Sequence, residues 1–170
     1  MFQPLDTIDN KKSILSIRGN VAENGMNRYF KRFPDGTFDL DDLKLRTEQL
    51  YEFLVQISSQ MHFKLEESIL VGYSNGANII HNLLIYYPDP ADKAVLIRPT
   101  LLTVDLPDSD LSGKKVLILA GKQDAYSTDG KAEKLKDILE DRKADVKLEW
   151  YEGGHELTNW DLEKAKEWIS

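Results

Sequence analysis

A serine flanked by glycines is the first candidate for chemistry in this 170-residue chain. In the stretch Gly72-Tyr73-Ser74-Asn75-Gly76, glycines stand two residues before and two residues after Ser74. A β-rich apolar run precedes the stretch and a helical pattern follows it. This is the setting that a G-x-S-x-G nucleophile elbow requires, because glycines let a strand and a helix approach closely around an exposed serine. The alternative is a glycine–serine turn with a purely structural role, which could have the same five-residue pattern.

A serine hydroxyl is a weak nucleophile at neutral pH and needs an adjacent base. The chain contains three histidines. In this type of fold the order along the chain is serine, acid, histidine, and only His155, in a glycine-rich loop after the last strand, follows a suitable acid. His62 falls near the end of the first helix, and His81 is interpreted as a packed or surface residue.

The candidate acid is Asp124, just past the end of the run KKVLILAG. It would hold the imidazole in the required tautomer and stabilise the imidazolium. Asp129 is the alternative, although it is better placed in the first turn of the next helix. Ser74, Asp124 and His155 each follow a strand, in the required order, which favours a catalytic triad. The Asn75 amide is expected to stabilise the oxyanion.

Two arginines are candidates for substrate binding. Arg18 ends the run SILSIR and Arg98 ends the run AVLIR, so both are predicted near the crevice where open α/β sheets bind ligands. There they could hold a carboxylate or a phosphate group of the substrate. The structural alternative is that they pair with local acids such as Asp105 or Glu23.

Short β-rich runs alternate with longer helical patterns along the chain, as in an α/β protein with a mostly parallel sheet covered on both faces. The predicted strands are 13–18, 68–73, 94–99, 115–121 and 146–151. The predicted helices are 40–61 behind a cap at Asp39, the segment from Ser74 to Pro88, the segment from Ser127 to Arg142, and one that starts at Thr158 with Asp161 in a capping box. We interpret 1–170 as a single domain. The long connection 19–40 is either a functional lid or a surface excursion anchored by its aromatic residues.

Composition excludes several classes of function. The formal net charge of −7, from 29 acidic and 22 basic side chains, disfavours nucleic acid and anionic membranes as partners. The absence of cysteine excludes disulfides, thiolate metal sites and cysteine nucleophiles. The first twelve residues lack the apolar core of a signal peptide. We therefore expect a soluble cytoplasmic protein.

Four segments carry a family resemblance that runs along nearly the whole chain: SILSIRGNVAENGMNRYFKR, VGYSNGANI, AGKQDAYS and YEGGHELT. They resemble the small bacterial carboxylesterases of the phospholipase/carboxylesterase group, within the α/β-hydrolase superfamily. The resemblance implies a three-layer α/β-hydrolase sandwich with Ser74 as nucleophile, His155 as general base and then acid, and Asp124 as the orienting carboxylate. It implies neither a metal nor an organic cofactor.

The resemblance breaks down at the start of the chain. Members of the family begin with an additional strand and a His-Gly-rich loop that supplies the second oxyanion amide, and no such motif precedes Ser13. Roughly 30 residues, about one βα unit, are therefore expected to be missing. In the family's sheet that strand lies between 13–18 and 68–73. We expect an N-terminally truncated fold with rearranged strand pairing or association of two copies as a homodimer.

The sequence thus predicts a serine hydrolase that cleaves small carboxylic esters through an acyl-enzyme on Ser74. Loss of one oxyanion donor typically lowers turnover ~100- to 1000-fold, so impaired activity is expected. One alternative is a catalytically silent fragment that acts by binding or association. Another is a thioesterase on the same scaffold.

Overall fold

Four parallel strands form the sheet that carries the candidate site. The computed structural model describes residues 13–87, 89–102 and 106–170. The strands are β1 (Val21–Glu23), β2 (Met26–Arg28), β3 (Ile69–Tyr73), β4 (Lys93–Ile97), β5 (Lys115–Gly121) and β6 (Asp145–Tyr151). The helices are α1 (Leu40–Met61), α2 (Asn75–Tyr86), α3 (Lys131–Glu140) and α4 (Asn159–Ile169), with a short 3-10 turn at Leu65–Glu67. The main sheet has the order β3-β4-β5-β6, and every neighbouring pair is parallel.

Helices cover both faces of this sheet, so the predicted α/β sandwich is confirmed. Alternate residues of β4 point to opposite faces, as the pleat of a strand requires. Ala94 and Leu96 pack in the core cluster that includes residues of α2 and α3. Val95 and Ile97 pack in a second cluster with residues of α4. The sheet is therefore the middle of three layers.

The predicted strand at 13–18 is wrong. Residues 13–20 belong to no strand, and the side chains of Ile14 and Leu15 are 43% and 44% exposed. A strand is stable only beside a neighbour that satisfies its backbone donors and acceptors. Among the described residues, β3 forms the edge of the sheet and is paired only with β4. The prediction that two copies associate stays a prediction.

The helix boundaries follow capping chemistry. Asp39 caps α1 as predicted, because its side chain accepts a hydrogen bond from the Asp42 amide. Both bonds of the predicted capping box between Thr158 and Asp161 are present at the start of α4. In contrast, α3 begins at Lys131 rather than at Ser127. Residues 124–130 form turns instead, and the predicted stop at Pro88 lies outside the described residues.

The long connection 19–40 contains the antiparallel β1–β2 hairpin. Its aromatic residues anchor it, since Phe30 is fully buried in a cluster with Leu43 and Ile79. Phe33, by contrast, is half exposed. Within the described ranges, no helix has the length and apolar character needed to cross a membrane.

Candidate active site

Ser74 lies at a sharp turn between β3 and α2. Its φ is 53° and its ψ is −115°, a conformation that residues other than glycine rarely adopt. Such backbone strain costs ~1–3 kcal/mol and persists where surrounding contacts fix it. The Ser74 amide donates a hydrogen bond to the Ile97 carbonyl at 2.8 Å, and the Ser74 carbonyl accepts one from the Asn78 amide at 3.0 Å. The turn therefore presents the hydroxyl at the carboxyl end of the sheet.

Gly72 allows the strand and the helix to meet at this turn. A Cβ atom at Gly72 would lie 2.5 Å from the carbonyl oxygen of Gly76, which is closer than any van der Waals contact. A Cβ atom at Gly76 would lie 3.3 Å from the ring of Tyr29. A side chain at Gly72 would therefore require the backbone to move, whereas a side chain at Gly76 would require only a small shift of the Tyr29 ring.

The structure places Ser74, His155 and Asp124 in one hydrogen-bonded row. Ser74 Oγ lies 2.8 Å from His155 Nε2, and His155 Nδ1 lies 2.8 Å from Asp124 Oδ2. A carboxylate accepts hydrogen bonds, so Asp124 assigns the proton of a neutral imidazole to Nδ1. Nε2 is then the acceptor that faces the serine hydroxyl, which is the arrangement a general base requires.

The carboxylate of Asp124 is buried and held from several sides. Its side chain is 1% exposed, and it accepts hydrogen bonds from the Tyr126 amide at 2.9 Å and from the Ser127 hydroxyl at 3.3 Å. These bonds favour the tight turn after β5 over an earlier start of α3. Asp129, the alternative acid, is exposed and has a positive φ of 60°. Of the two candidate acids, Asp124 is the one that contacts the imidazole.

Three side chains hold the loop that carries His155. Tyr73 donates its hydroxyl hydrogen to the His155 carbonyl at 2.8 Å, and burial raises the pKa of this phenol, so the donor stays protonated. Arg98 Nε donates to the Gly154 carbonyl at 2.9 Å. The rings of Tyr73 and Tyr126 lie 5.6 Å and 5.2 Å from the imidazole. None of these contacts is apparent from the sequence, because the residues they join are far apart along the chain.

The interpretation of Arg98 as a substrate-binding residue is wrong. Its side chain is fully buried and pairs with Asp161, which is also fully buried, at 2.7 Å. It also donates to the Leu119 carbonyl and lies over the ring of Tyr151. With every donor directed into the protein, Arg98 has no face for a substrate. It is a positioning residue that joins the His155 loop to α4.

Arg18 is exposed and lines a cavity of about 360 Å³. The cavity lies between residues 16–20, Tyr29 and α1, and its walls include none of the triad residues. The structure therefore does not bring Arg18 together with Ser74.

The backbone amide of Asn75 lies at the start of α2, directly after Ser74. The first amides of a helix have no partner within the helix. The Asn75 side chain binds elsewhere, because its Oδ1 accepts a hydrogen bond from the Tyr29 amide at 2.6 Å. Among the described residues, no three His, Asp or Glu side chains cluster closely enough to bind a metal ion.

Known proteins share both the sequence and this architecture. Residues 19–167 match a family described as "alpha/beta hydrolase fold". Over 161 residues the chain is 40% identical to "Putative hydrolase MhqD" of Bacillus subtilis (strain 168), covering 95% of this chain and 80% of that protein.

Two solved structures have a similar fold. A carboxylesterase from Bacillus cereus is 41% identical with a TM-score of 0.91, and the match covers 97% of this chain and 78% of that one. YahD, solved with malic acid, is 28% identical with a TM-score of 0.89, and the match covers 98% of this chain and 84% of that one. The similarity thus extends over almost the entire length of this chain.

Proposed function

The chain belongs to the α/β-hydrolase family, and from this premise we propose that it is a serine carboxylesterase that acts on small esters through an acyl-enzyme on Ser74. The observation that carries the proposal is the continuous row from Ser74 Oγ through His155 to Asp124, with both contacts at 2.8 Å. The similarity to a carboxylesterase from Bacillus cereus supports the same reaction class.

The proposed reaction has two halves. Ser74 Oγ attacks the ester carbonyl carbon while its proton passes to His155 Nε2, and the Asn75 amide stabilises the resulting oxyanion. The intermediate collapses, and the alcohol leaves with the proton from Nε2. A water molecule then gives a proton to Nε2 and attacks the acyl-enzyme. Nε2 returns this proton to Ser74 Oγ as the bond between Oγ and the acyl carbon breaks, which releases the carboxylic acid and restores Ser74. Asp124 stays ionised throughout and stabilises the imidazolium.

We propose further that turnover is low. The elbow supplies the Asn75 amide as an oxyanion donor, and the described residues before β3 include no His-Gly-rich loop of the kind that would supply a second one. A missing donor in such a hole typically lowers kcat ~100- to 1000-fold.

Covalent labelling tests the proposal most directly. A fluorophosphonate probe is incubated with the wild-type chain and with Ser74→Ala, followed by intact mass measurement and peptide mapping. Ser59→Ala, at an exposed position of α1, is the matched control. We expect one adduct on Ser74 in the wild type and the control, and none in Ser74→Ala.

Turnover is then measured with a panel of short acyl esters and a thioester of the same acyl chain. Hydrolysis of the esters that disappears in Ser74→Ala supports the proposal. Labelling followed by turnover of the thioester alone would point to a thioesterase instead. A folded sample that is neither labelled nor active would overturn the proposal in favour of a silent binding protein.

A further inference from the structure

Arg28, at the end of β2, and Arg32, four residues later, share one glutamate at the end of β1. Glu23 Oε1 accepts hydrogen bonds from Arg32 Nε at 3.0 Å and from Arg32 Nη2 at 2.7 Å. Glu23 Oε2 lies 2.9 Å from Arg28 Nε as an ion pair, without the alignment of a hydrogen bond. We call Glu23, Arg28 and Arg32 the hairpin cluster. Its two cations and one anion leave one positive charge, in a chain whose net charge is −7.

The hairpin cluster lies beside the nucleophile turn. Arg28 is followed by Tyr29, whose amide binds the Asn75 side chain, and Asn75 follows Ser74 in the chain. On the other side, Tyr126 is one of the groups whose charge raises the pKa of both arginines. The Tyr126 ring in turn lies 5.2 Å from the His155 ring. Arg28 is therefore linked to the nucleophile through Tyr29 and Asn75, and it is also influenced by Tyr126, whose ring lies beside the base.

The guanidinium of Arg28 is held by Glu23, but not all of its hydrogen-bond donors are paired. Its side chain is 14% exposed, and Glu23 contacts it through Nε, so the two Nη groups have no partner among the described residues. Burial, and after it the positive charge of Arg32, lowers the pKa of Arg28 from its ordinary value, so Glu23 does not fully offset these two effects. An additional anion would stabilise this charge.

A second donor at the same junction is also unoccupied. The Oδ1 atom of Asn75 accepts from the Tyr29 amide, which identifies the other end of this side chain as the amide nitrogen. That Nδ2 atom is buried and has no hydrogen-bond partner among the described residues. Buried donors of this kind are normally satisfied, so each one that is not needs an explanation. A ligand that supplies an acceptor here would satisfy it.

We propose that Arg28, supported by Arg32 and Glu23, forms an anion subsite beside Ser74, and that the substrate is an ester bearing a carboxylate on its acyl or alcohol part. Two Nη donors in one plane match the two oxygens of a carboxylate. Glu23 orients the guanidinium of Arg28, and Arg32 forms a second ion pair with Glu23. This inference rests on the proposed ester hydrolysis.

Pairs of esters that differ only in charge test the subsite. For the alcohol part, 4-acetoxybenzoate is compared with its methyl ester. For the acyl part, the mono-4-nitrophenyl ester of terephthalic acid is compared with the same compound carrying a methyl ester on its second carboxyl group. The readout is the ratio of kcat/KM for the anionic and the neutral member of each pair.

In Arg28→Met, we expect this ratio to fall ~10- to 100-fold for at least one pair, as is typical when a hydrogen bond to a charged group is lost. Glu23 stays paired with Arg32 in this variant. Arg28→Lys keeps the positive charge but loses the two coplanar Nη donors, so the ratio should fall less in this variant. Added salt should lower the wild-type ratio as well.

Lys31→Met is the matched control. This substitution also removes one positive charge from the segment, but the ammonium group of Lys31 faces Asp42 on α1 and not the hairpin cluster. Its ratios should equal those of the wild type. Arg18→Met tests the competing arginine, and a fall of the ratio there instead of in Arg28→Met would overturn the proposal. Labelling of Ser74 by the uncharged probe reports whether the triad of each variant is still assembled.

The two proposals fail in different ways. If Ser74 is labelled and neutral esters are hydrolysed, but neither Arg28 variant changes the ratio, the subsite is wrong and the esterase stands. If Ser74 is not labelled and no ester is hydrolysed, both are wrong.

Discussion

The guanidinium of Arg98 joins the carbonyl of Gly154 to the carboxylate of Asp161. Nε donates to Gly154 at 2.9 Å, while Nη1 and Nη2 donate to the two oxygens of Asp161 at 2.7 and 3.2 Å. Both charged side chains have no solvent exposure. The residue before His155 is thus held by an ion pair in the protein interior.

Substitution of Arg98 by methionine should destabilise the protein by ~3–5 kcal/mol, because Asp161 would remain as a buried charge without its partner. Urea unfolding followed by circular dichroism measures this free energy. The control is Lys122→Met, which removes an exposed ion pair with Glu152 and should cost ~0–1 kcal/mol. Equal stabilities of the two variants would contradict the structural role of Arg98.

Substitution of Asp124 by asparagine should lower kcat ~10⁴-fold, because an amide that donates to Nδ1 stabilises the wrong tautomer of His155. The measurement is ester hydrolysis over a range of pH, with Ser74 labelling as a second readout. Asp129→Asn changes an exposed carboxylate five residues further along and should retain wild-type activity. A large loss in Asp129→Asn with little change in Asp124→Asn would reverse the assignment of the acid.

The two glycines of the nucleophile turn should respond differently to alanine. In Gly72→Ala the new Cβ would meet the backbone of Gly76 at 2.5 Å, so the strand or the helix must shift, at a cost of ~1–3 kcal/mol or more. In Gly76→Ala the contact is the edge of the Tyr29 ring at 3.3 Å, which moves more easily. Thermal unfolding and the rate of Ser74 labelling should both rank Gly72→Ala as the more damaged variant.

His81 should make stability depend on pH. It is fully buried, its Nδ1 has no partner among the described residues, and burial lowers its pKa from 6.5 to about 4. Below pH 6.5 the unfolded chain binds a proton that the folded chain does not bind, so the contribution of neutral His81 to stability is lost as the pH falls towards 4. Between pH 7.5 and 5 this loss is about 2 kcal/mol.

Urea unfolding of the wild type and of His81→Leu at these two pH values isolates the effect. The stability of the variant relative to the wild type should rise by that amount at pH 5. His62→Asn, a change at an exposed histidine, should show no such rise. Parallel pH dependence in the wild type and His81→Leu would mean that His81 is hydrated or protonated in the folded protein.

The hydrogen-bonded row of Ser74, His155 and Asp124 was predictable because chain order constrains it. Ser74, Asp124 and His155 each follow a strand of one parallel sheet, and the carboxyl ends of such strands share an edge. Arg98 also ends a strand, yet its partner Asp161 lies 63 residues away. Local sequence carries no sign of that pairing.

The segment 13–18 shows the limit of strand prediction. Its apolar composition is that of a strand, but composition does not tell whether a neighbouring strand exists to form the hydrogen bonds. The start of α3 was placed too early for a related reason. The turn at 124–130 is fixed by the Asp124 side chain, which competes locally with the helix.

The pairing of Arg98 with Asp161 also has a consequence for biosynthesis. A polypeptide emerges from the ribosome N-terminus first, so the turn around Ser74 is made long before the elements that support its base. His155 and Asp161 follow Ser74 by 81 and 87 residues. A nascent chain that lacks α4 leaves Arg98 without its counter-ion and the His155 loop without this support. We therefore expect the hydrogen-bonded row to form only after α4 has been synthesised.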